Sequence, residues 1–370
     1  MNPYQNLPDN SFWAPAVAQK SMFDILEIWD PKHKLGLATK VATYGSCFAQ
    51  HIGRALKQRG YNWLVTEPSP LMMSEETAKK FNYGVFSART GNIYTASLLL
   101  QWLTWARDRS KIPDEVWVSD GRYYDPFRPN IEPLGFGSRE ELMSSRSAAL
   151  DAFRDSILQA GTFVFTMGLT ESWFNRQAGF EYPMCPGVIA GEYNSEEHQF
   201  VNQEYPQIRQ SLTKALRLMR AMNPDLRILL TVSPVPLTAT NSGRHVLVAN
   251  MASKSILRSV ADSLARNMPF VDYFPSFEII TSPPFRGTFY EPNLRNVTSA
   301  GVAQVMRVFF ECLSKKYPVA QRPKPPGLKQ GLRKILGRGR PIAASAQGVG
   351  SSTDAEICEE EFLDLHRTGG

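Results

Sequence analysis

Lys40-Val41-Ala42-Thr43-Tyr44-Gly45-Ser46-Cys47-Phe48-Ala49 is the stretch on which the fold turns. Residues 40–44 form a short apolar run of strand length, and Gly45 permits a tight turn. From Phe48 the apolar residues Phe48, Ile52, Ala55 and Leu56 recur at helical spacing as far as Arg59, with Gly60 as the stop. Ser46 and Cys47 therefore fall where a strand hands over to a helix. Unpaired backbone N–H groups and the positive end of the helix dipole favour a thiolate there, and the same N–H groups can hold an oxyanion. A serine gains less, because its hydroxyl needs a general base. In the structural alternative Ser46 caps the helix and Cys47 is a small buried residue.

Working outward, helices are expected at 95–109, 139–159, 204–221, 248–266 and 299–313, and strands at 162–167, 227–232 and 270–274. Residues 61–95 read as loop and short elements, 112–139 as an aromatic excursion along a cleft edge, and 173–200 as a second long loop. Alternating strands and helices imply α/β architecture, a mostly parallel sheet covered on both faces in three α/β/α layers. Ligands in such folds collect beyond the strand C-termini. Those ends are Gly45-Ser46-Cys47, Gly168-Leu169-Thr170-Glu171, Ser233-Pro234-Val235-Pro236 and Pro275-Ser276-Phe277-Glu278. The chain divides into an N-terminal extension (1–34), the α/β domain (35–318) and a charged tail (319–370) expected to be mostly disordered.

A chain of 370 residues can bury a substantial core, and no run approaches the roughly 18 apolar residues of a membrane span. The first residues lack a basic region and an apolar core, so no signal peptide is expected. Four scattered cysteines, Cys47, Cys185, Cys312 and Cys358, suit a reducing, cytoplasmic setting. Net charge is +6; residues 321–341 carry seven basic residues and no acidic one, whereas 354–364 carry six acidic residues. The basic part, Leu328 to Arg338, could lie as a short amphipathic turn on an anionic membrane, but a solvated appendage is the simpler reading. No element specific for nucleic acid is present.

The chain has five histidines. His51 follows Cys47 by four residues, so both share a helix face. His198, in a polar loop, and His245, just before a helix, could each approach the strand ends as a base. His33 follows a turn-like Asp30-Pro31 and His366 lies in the tail. No histidine pair has zinc spacing and the cysteines are too dispersed for a Cys-x-x-Cys site, so metal dependence is not expected.

The Gly45-Ser46-Cys47-Phe48-Ala49 string resembles the signature of the GSCFA family, placed within the SGNH/GDSL hydrolase superfamily. Gly168-Leu169-Thr170-Glu171-Ser172-Trp173, Thr231-Val232-Ser233-Pro234-Val235, Ser253-Lys254-Ser255 and Asp272-Tyr273-Phe274-Pro275-Ser276-Phe277-Glu278 extend the resemblance over roughly residues 35–313. It implies a flavodoxin-like α/β/α sheet with large loop insertions. The superfamily's Gly-Asp-Ser block, laid onto Gly45-Ser46-Cys47, implies Cys47 as nucleophile; a shift of one residue implies Ser46. Its Gly-x-Asn-Asp block falls on Gly168 to Glu171, with Thr170 in place of the oxyanion-binding Asn and Glu171 able to orient a base or a substrate hydroxyl. Gly84 or Gly91 would supply the backbone N–H of the intermediate glycine block.

GSCFA proteins look to carry an Asp-x-x-His motif shortly after a Phe-Tyr pair. Here Phe289-Tyr290 is followed by Glu291-Pro292-Asn293-Leu294-Arg295-Asn296, which puts Asn293 and Asn296 at those positions. Asparagine is no general base near neutral pH. His198 or His245 would then act from a loop, or Cys47 through a dipole-lowered pKa, or hydrolysis has been lost. Asn293 and Asn296 would otherwise bind substrate hydroxyls or organise a pocket wall, and Asn293, Arg295 and Asn296, in a polar turn before the last helix, would also suit helix capping. The superfamily precedent is acyl transfer, as an esterase or an O-acyltransferase, with no required cofactor and with acyl-CoA as the donor in the transferase case. Loop aromatics such as Trp173 lean towards a saccharide ester substrate. The second reading is a non-catalytic carbohydrate-binding or polysaccharide-assembly protein on the same fold.

Overall fold

The computed structural model describes residues 2–318 and 359–365. In chain order its elements are β1 (Val41–Gly45), α1 (Ala49–Gln58), α2 (Glu75–Lys80), α3 (Ala96–Arg107), β2 (Trp117–Ser119), β3 (Arg122–Tyr124), α4 (Arg139–Gln159), β4 (Thr162–Met167), β5 (Glu171–Asn175), β6 (Glu181–Tyr182), β7 (His198–Asn202), α5 (Tyr205–Met222), β8 (Arg227–Val232), α6 (Val246–Asn267), β9 (Val271–Tyr273), α7 (Ser276–Thr281), α8 (Ser299–Lys316) and α9 (Phe362–Leu365). Four of the strands pair in parallel in the order β1-β4-β8-β9.

Side-chain alternation along these strands builds two cores. Ala42, Tyr44, Phe163, Phe165, Ile228 and Leu230 point to one face, against α3, α4, α5 and α6. Val41, Val164 and Leu229 point to the other, against α1, α7 and α8. Because both faces are covered, the strands read as nearly continuous apolar runs. The outer edge of β1 is covered too: Val41 exchanges backbone hydrogen bonds with Asn62 and Leu64, and Ser87 donates to the Thr43 carbonyl.

The N-terminal extension packs into the second core. Trp29 stacks on Phe309 at 5.3 Å and meets Phe274 edge-on at 5.1 Å. Tyr317 Oη donates to the carbonyls of Pro31 and Lys32, which ties the extension to the end of α8.

Two loop expectations are corrected. Residues 173–200 are bounded by a three-stranded antiparallel sheet, β6-β5-β7, in which Trp173 pairs with Phe200. The excursion at 112–139 contains the β2–β3 hairpin, turned by Asp120 and Gly121, both at positive φ. Buried charges pin that excursion down. Asp125 accepts from Arg128 Nε at 2.8 Å and Arg146 Nη2 at 2.9 Å, all three side chains being buried. The basic stretch 321–341, with the turn expected at Leu328 to Arg338, lies outside the described residues. No helix among the described residues is long and apolar enough to cross a membrane.

Candidate functional site

Gly45 ends β1 at φ +132°, and a Cβ there would sit 2.2 Å from the Thr166 carbonyl oxygen. Only glycine lets β1 and β4 keep their register at this point. Ser46 N–H then donates to Thr166 O at 2.9 Å, and the carbonyls of Ser46 and Cys47 accept the first turn's bonds from Ala49 and Gln50. Residue 48, not Ser46, stands at the cap of α1, with no side-chain cap bond. The capping alternative for Ser46 therefore fails. Its Oγ is buried and has no hydrogen-bond partner among the described residues. Cys47 is equally buried, within the apolar cluster that includes Val235, Phe274 and Phe289.

The segment 91–94 bridges the ends of β1 and β4. Ile93 N–H donates to Gly45 O at 3.0 Å, and Tyr94 O accepts from Gly168 and Leu169 at 2.9 and 3.2 Å. A Cβ on Gly168 would lie 3.1 Å from both Ser46 Cβ and Tyr94 Cδ1, so these residues meet in one tight contact. Upstream, buried Arg89 is held by the carbonyls of Phe81 and Ile131 and by Glu132, while Arg128 Nη1 donates to Arg89 O. This buried network fixes Gly91, at φ +67°, and Asn92 beside the junction. Gly84 lies earlier, in the turn after α2, where a Cβ would meet nothing within 4 Å.

At the end of β4, buried Lys254 of α6 donates from Nζ to Gly168 O at 2.8 Å. Thr170 is buried and its hydroxyl donates to Asn202 Oδ1 at 2.8 Å, so its proton is committed within β5–β7. Glu171 begins β5 half-buried. Burial pushes its carboxyl up, against the Thr240 hydroxyl and the Asn241 N–H that pull it down. Trp173 stands edge-on to Tyr193 at 5.5 Å and close to Phe200.

Before α8, Asn293 Oδ1 accepts the N–H groups of Arg295 and Asn296 at 3.0 and 2.9 Å and so shapes its own turn. Thr298 Oγ1, accepting from Gly301, caps the helix instead. Tyr290 Oη donates to Pro234 O at 2.8 Å, tying this turn to the end of β8.

His198 and His245, the two expected bases, are each engaged away from the junction. His198 pairs with Asn175 at the far end of β5, four residues and about 13 Å along the strand from Glu171. It is buried between Tyr182 and Tyr193, and its Nδ1 accepts from Asn194 N–H at 3.0 Å. His245 is exposed and caps α6, with Nδ1 accepting from Leu247 N–H at 3.2 Å. His33 lines a cavity with Thr162 and Arg227 at the opposite, N-terminal ends of the strands. His51, half-buried on α1, packs edge-on to Phe48 at 5.3 Å.

What the strand ends do gather is charge. Glu359 and Glu360, from a short 3-10 turn leading into α9, are buried against them. The Asn92 side-chain amide and backbone N–H both donate to the Glu359 carboxyl, which burial pushes up to about 7. A Cβ on Gly91 would lie 3.3 Å from Glu359 Oε1. Glu360 faces Arg295 Nη2 at 3.5 Å and accepts from Thr238 N–H. Burial raises its carboxyl, Arg295 and Lys254 oppose that, and Glu171 adds to it. Glu361 stays exposed and meets Arg295 and Asn296 at 3.5 Å. Asn92, Lys254 and the two glutamates were missed from sequence, though Lys254 stands in the Ser253-Lys254-Ser255 string; Arg295 was expected only as part of a polar, helix-capping turn. Among the described residues no group of three or more His, Cys, Asp or Glu side chains is placed to hold a metal ion.

A four-stranded parallel sheet flanked by helices defines the class: an α/β protein, with polar side chains gathered beyond the strand C-termini. Within that class the chain belongs to the GSCFA family, whose model matches residues 40–309. The match takes in every part of the site except Glu359 to Glu361. No curated protein and no solved structure matches the chain.

Proposed function

We propose that the protein is an acyl-transfer enzyme of SGNH type, an esterase or an O-acyltransferase, acting through Cys47 or Ser46 on a carbohydrate-containing ester. The observation that carries this reading is the neighbourhood of the junction: a strand-to-helix turn bearing both nucleophiles, flanked by Gly91-Asn92 and by Gly168. In the reaction the nucleophile adds to the acyl carbon, the ester's alcohol leaves with a proton, and an acyl-enzyme remains. Water or a saccharide hydroxyl then attacks that acyl carbon and returns the thiol or hydroxyl. Glu171 supports proton transfer, since a carboxyl held above its usual range is closer to working as a base near neutral pH. The Trp173–Tyr193–Phe200 cluster, with Tyr193 half exposed, supports a sugar-bearing substrate. No cofactor is required; acyl-CoA is the alternative acyl donor in the transferase case, its thiol then leaving with the proton in place of the ester's alcohol.

Hydrolysis of an activated acetyl ester by the full chain and by the Ser46→Ala and Cys47→Ala variants tests this. Loss of at least about 100-fold in one variant is expected; wild-type turnover in both overturns the proposal. A non-catalytic carbohydrate-binding role is the second reading, favoured by Asn293 shaping a turn at the Asp-x-x-His position. Saccharide binding that survives the combined Ser46→Ala/Cys47→Ala change, with no turnover in wild type, selects it.

A further inference from the structure

Three consecutive glutamates near a chain end ordinarily face water, because burying carboxylates is costly unless donors meet them. Here two of the three are buried, and four separate parts of the fold supply what meets them: the Asn92 loop, the Thr238 N–H after β8, Lys254 on α6, and the Arg295–Asn296 turn. Those parts are the walls of the candidate site. Phe362 and Leu363, the next residues, are half-buried.

We propose that the strand-end pocket is a carboxyl-binding site whose resident ligand is the chain's own Glu359–Leu365 segment, docked in cis, so that an external carboxylic-acid ligand enters by displacing it. The inference does not depend on acyl transfer, since it concerns occupancy rather than turnover. Glu359 is met by neutral Asn92 donors, and its Oε2 has no hydrogen-bond partner among the described residues. Glu360 is met by two cations, Arg295 and Lys254, with Glu171 as the opposing charge. Both carboxyls are raised in the docked state, so ionisation works against docking and rising pH loosens the segment.

The test uses the full-length chain and a fluorescent synthetic peptide spanning Glu359–Leu365. In the Glu359→Lys/Glu360→Lys variant the resident segment is repelled by Arg295 and Lys254 and the pocket opens. The peptide should then bind the variant at least about tenfold more tightly than wild type, because a self-occupied site reduces apparent affinity by the open fraction. Adding Arg295→Ala to that variant should weaken peptide binding again. Unchanged circular dichroism shows that the variants fold. Equal peptide affinity for wild type and variant, or binding to neither, overturns the proposal. A wild-type dimer that the charge reversal converts to monomer would place the segment in a second copy's pocket and overturn docking in cis.

Discussion

Replacing Glu359 with glutamine in the docking peptide isolates one carboxyl. That carboxyl lies almost wholly buried, and burial pushes it up to about 7 when docked, against an ordinary value of 4.5. A group raised in the bound state binds best when protonated. Docking is therefore undiminished below about pH 4.5, weakens as pH rises, and levels off above about pH 7, having lost about 3 kcal/mol. Between about pH 5 and pH 8 this corresponds to a loss of roughly 50- to 100-fold in affinity. The Glu359→Gln peptide keeps the carbonyl that Asn92 reaches and cannot ionise at that position. Its affinity should fall much less over the same range, the remaining slope coming from Glu360, whose carboxyl is also raised. Fluorescence anisotropy against the Glu359→Lys/Glu360→Lys chain measures both peptides. Identical pH profiles for the two, or tighter binding as pH rises, would refute the placement of Glu359 against Asn92.

Three substitutions test the scaffold by urea unfolding. Gly45→Ala places a Cβ against the Thr166 carbonyl at a glycine conformation and should cost about 2–5 kcal/mol; a neutral effect would contradict the β1–β4 contact. Asp125→Asn leaves Arg128 and Arg146 buried without their counter-charge and should cost about 3–5 kcal/mol. It should also weaken peptide docking, because Arg128 holds the Arg89–Asn92 segment; unchanged stability and affinity would remove that link. Trp29→Ala strips the ring stacked on Phe309 and should cost about 2–4 kcal/mol, whereas a merely appended N-terminus would show no effect.

The sheet was legible because its strands are short, nearly continuous apolar runs, punctuated by Gly45, Gly168 and the Ser233-Pro234 and Pro275-Ser276 pairs. The spans of β4, β8 and α4 agree with the sequence reading to the residue. The β2–β3 hairpin was legible in principle, since Asp120-Gly121 is a strong hairpin signal; the surrounding prolines and aromatics obscured it. β5 and β7 escaped because their pairing joins segments more than twenty residues apart, and no local pattern records that.

The site divides in the same way. Ser46, Cys47, Gly168 and Glu171 follow from position at strand ends, which the chain itself displays. His198 looked available because it lies in a polar stretch, yet the aromatic rings of Tyr182 and Tyr193 enclose it. Lys254 gave no hint of burial, because a lysine on an amphipathic helix ordinarily points to solvent. Glu359 and Glu360 read as a solvated charge run. Their donors come from residues 92, 238, 254 and 295, which only the folded chain assembles.

The most direct test of the site is covalent. The full-length protein and the Glu359→Lys/Glu360→Lys variant are incubated with an activated acyl ester, digested and mapped by mass spectrometry. An acyl adduct on Cys47 or Ser46, forming faster in the variant and abolished by alanine at that same position, is the expected result. An acyl adduct confined to Cys185 or Cys312, or none at all in either chain, would contradict acyl transfer at the Gly45-Ser46-Cys47 junction.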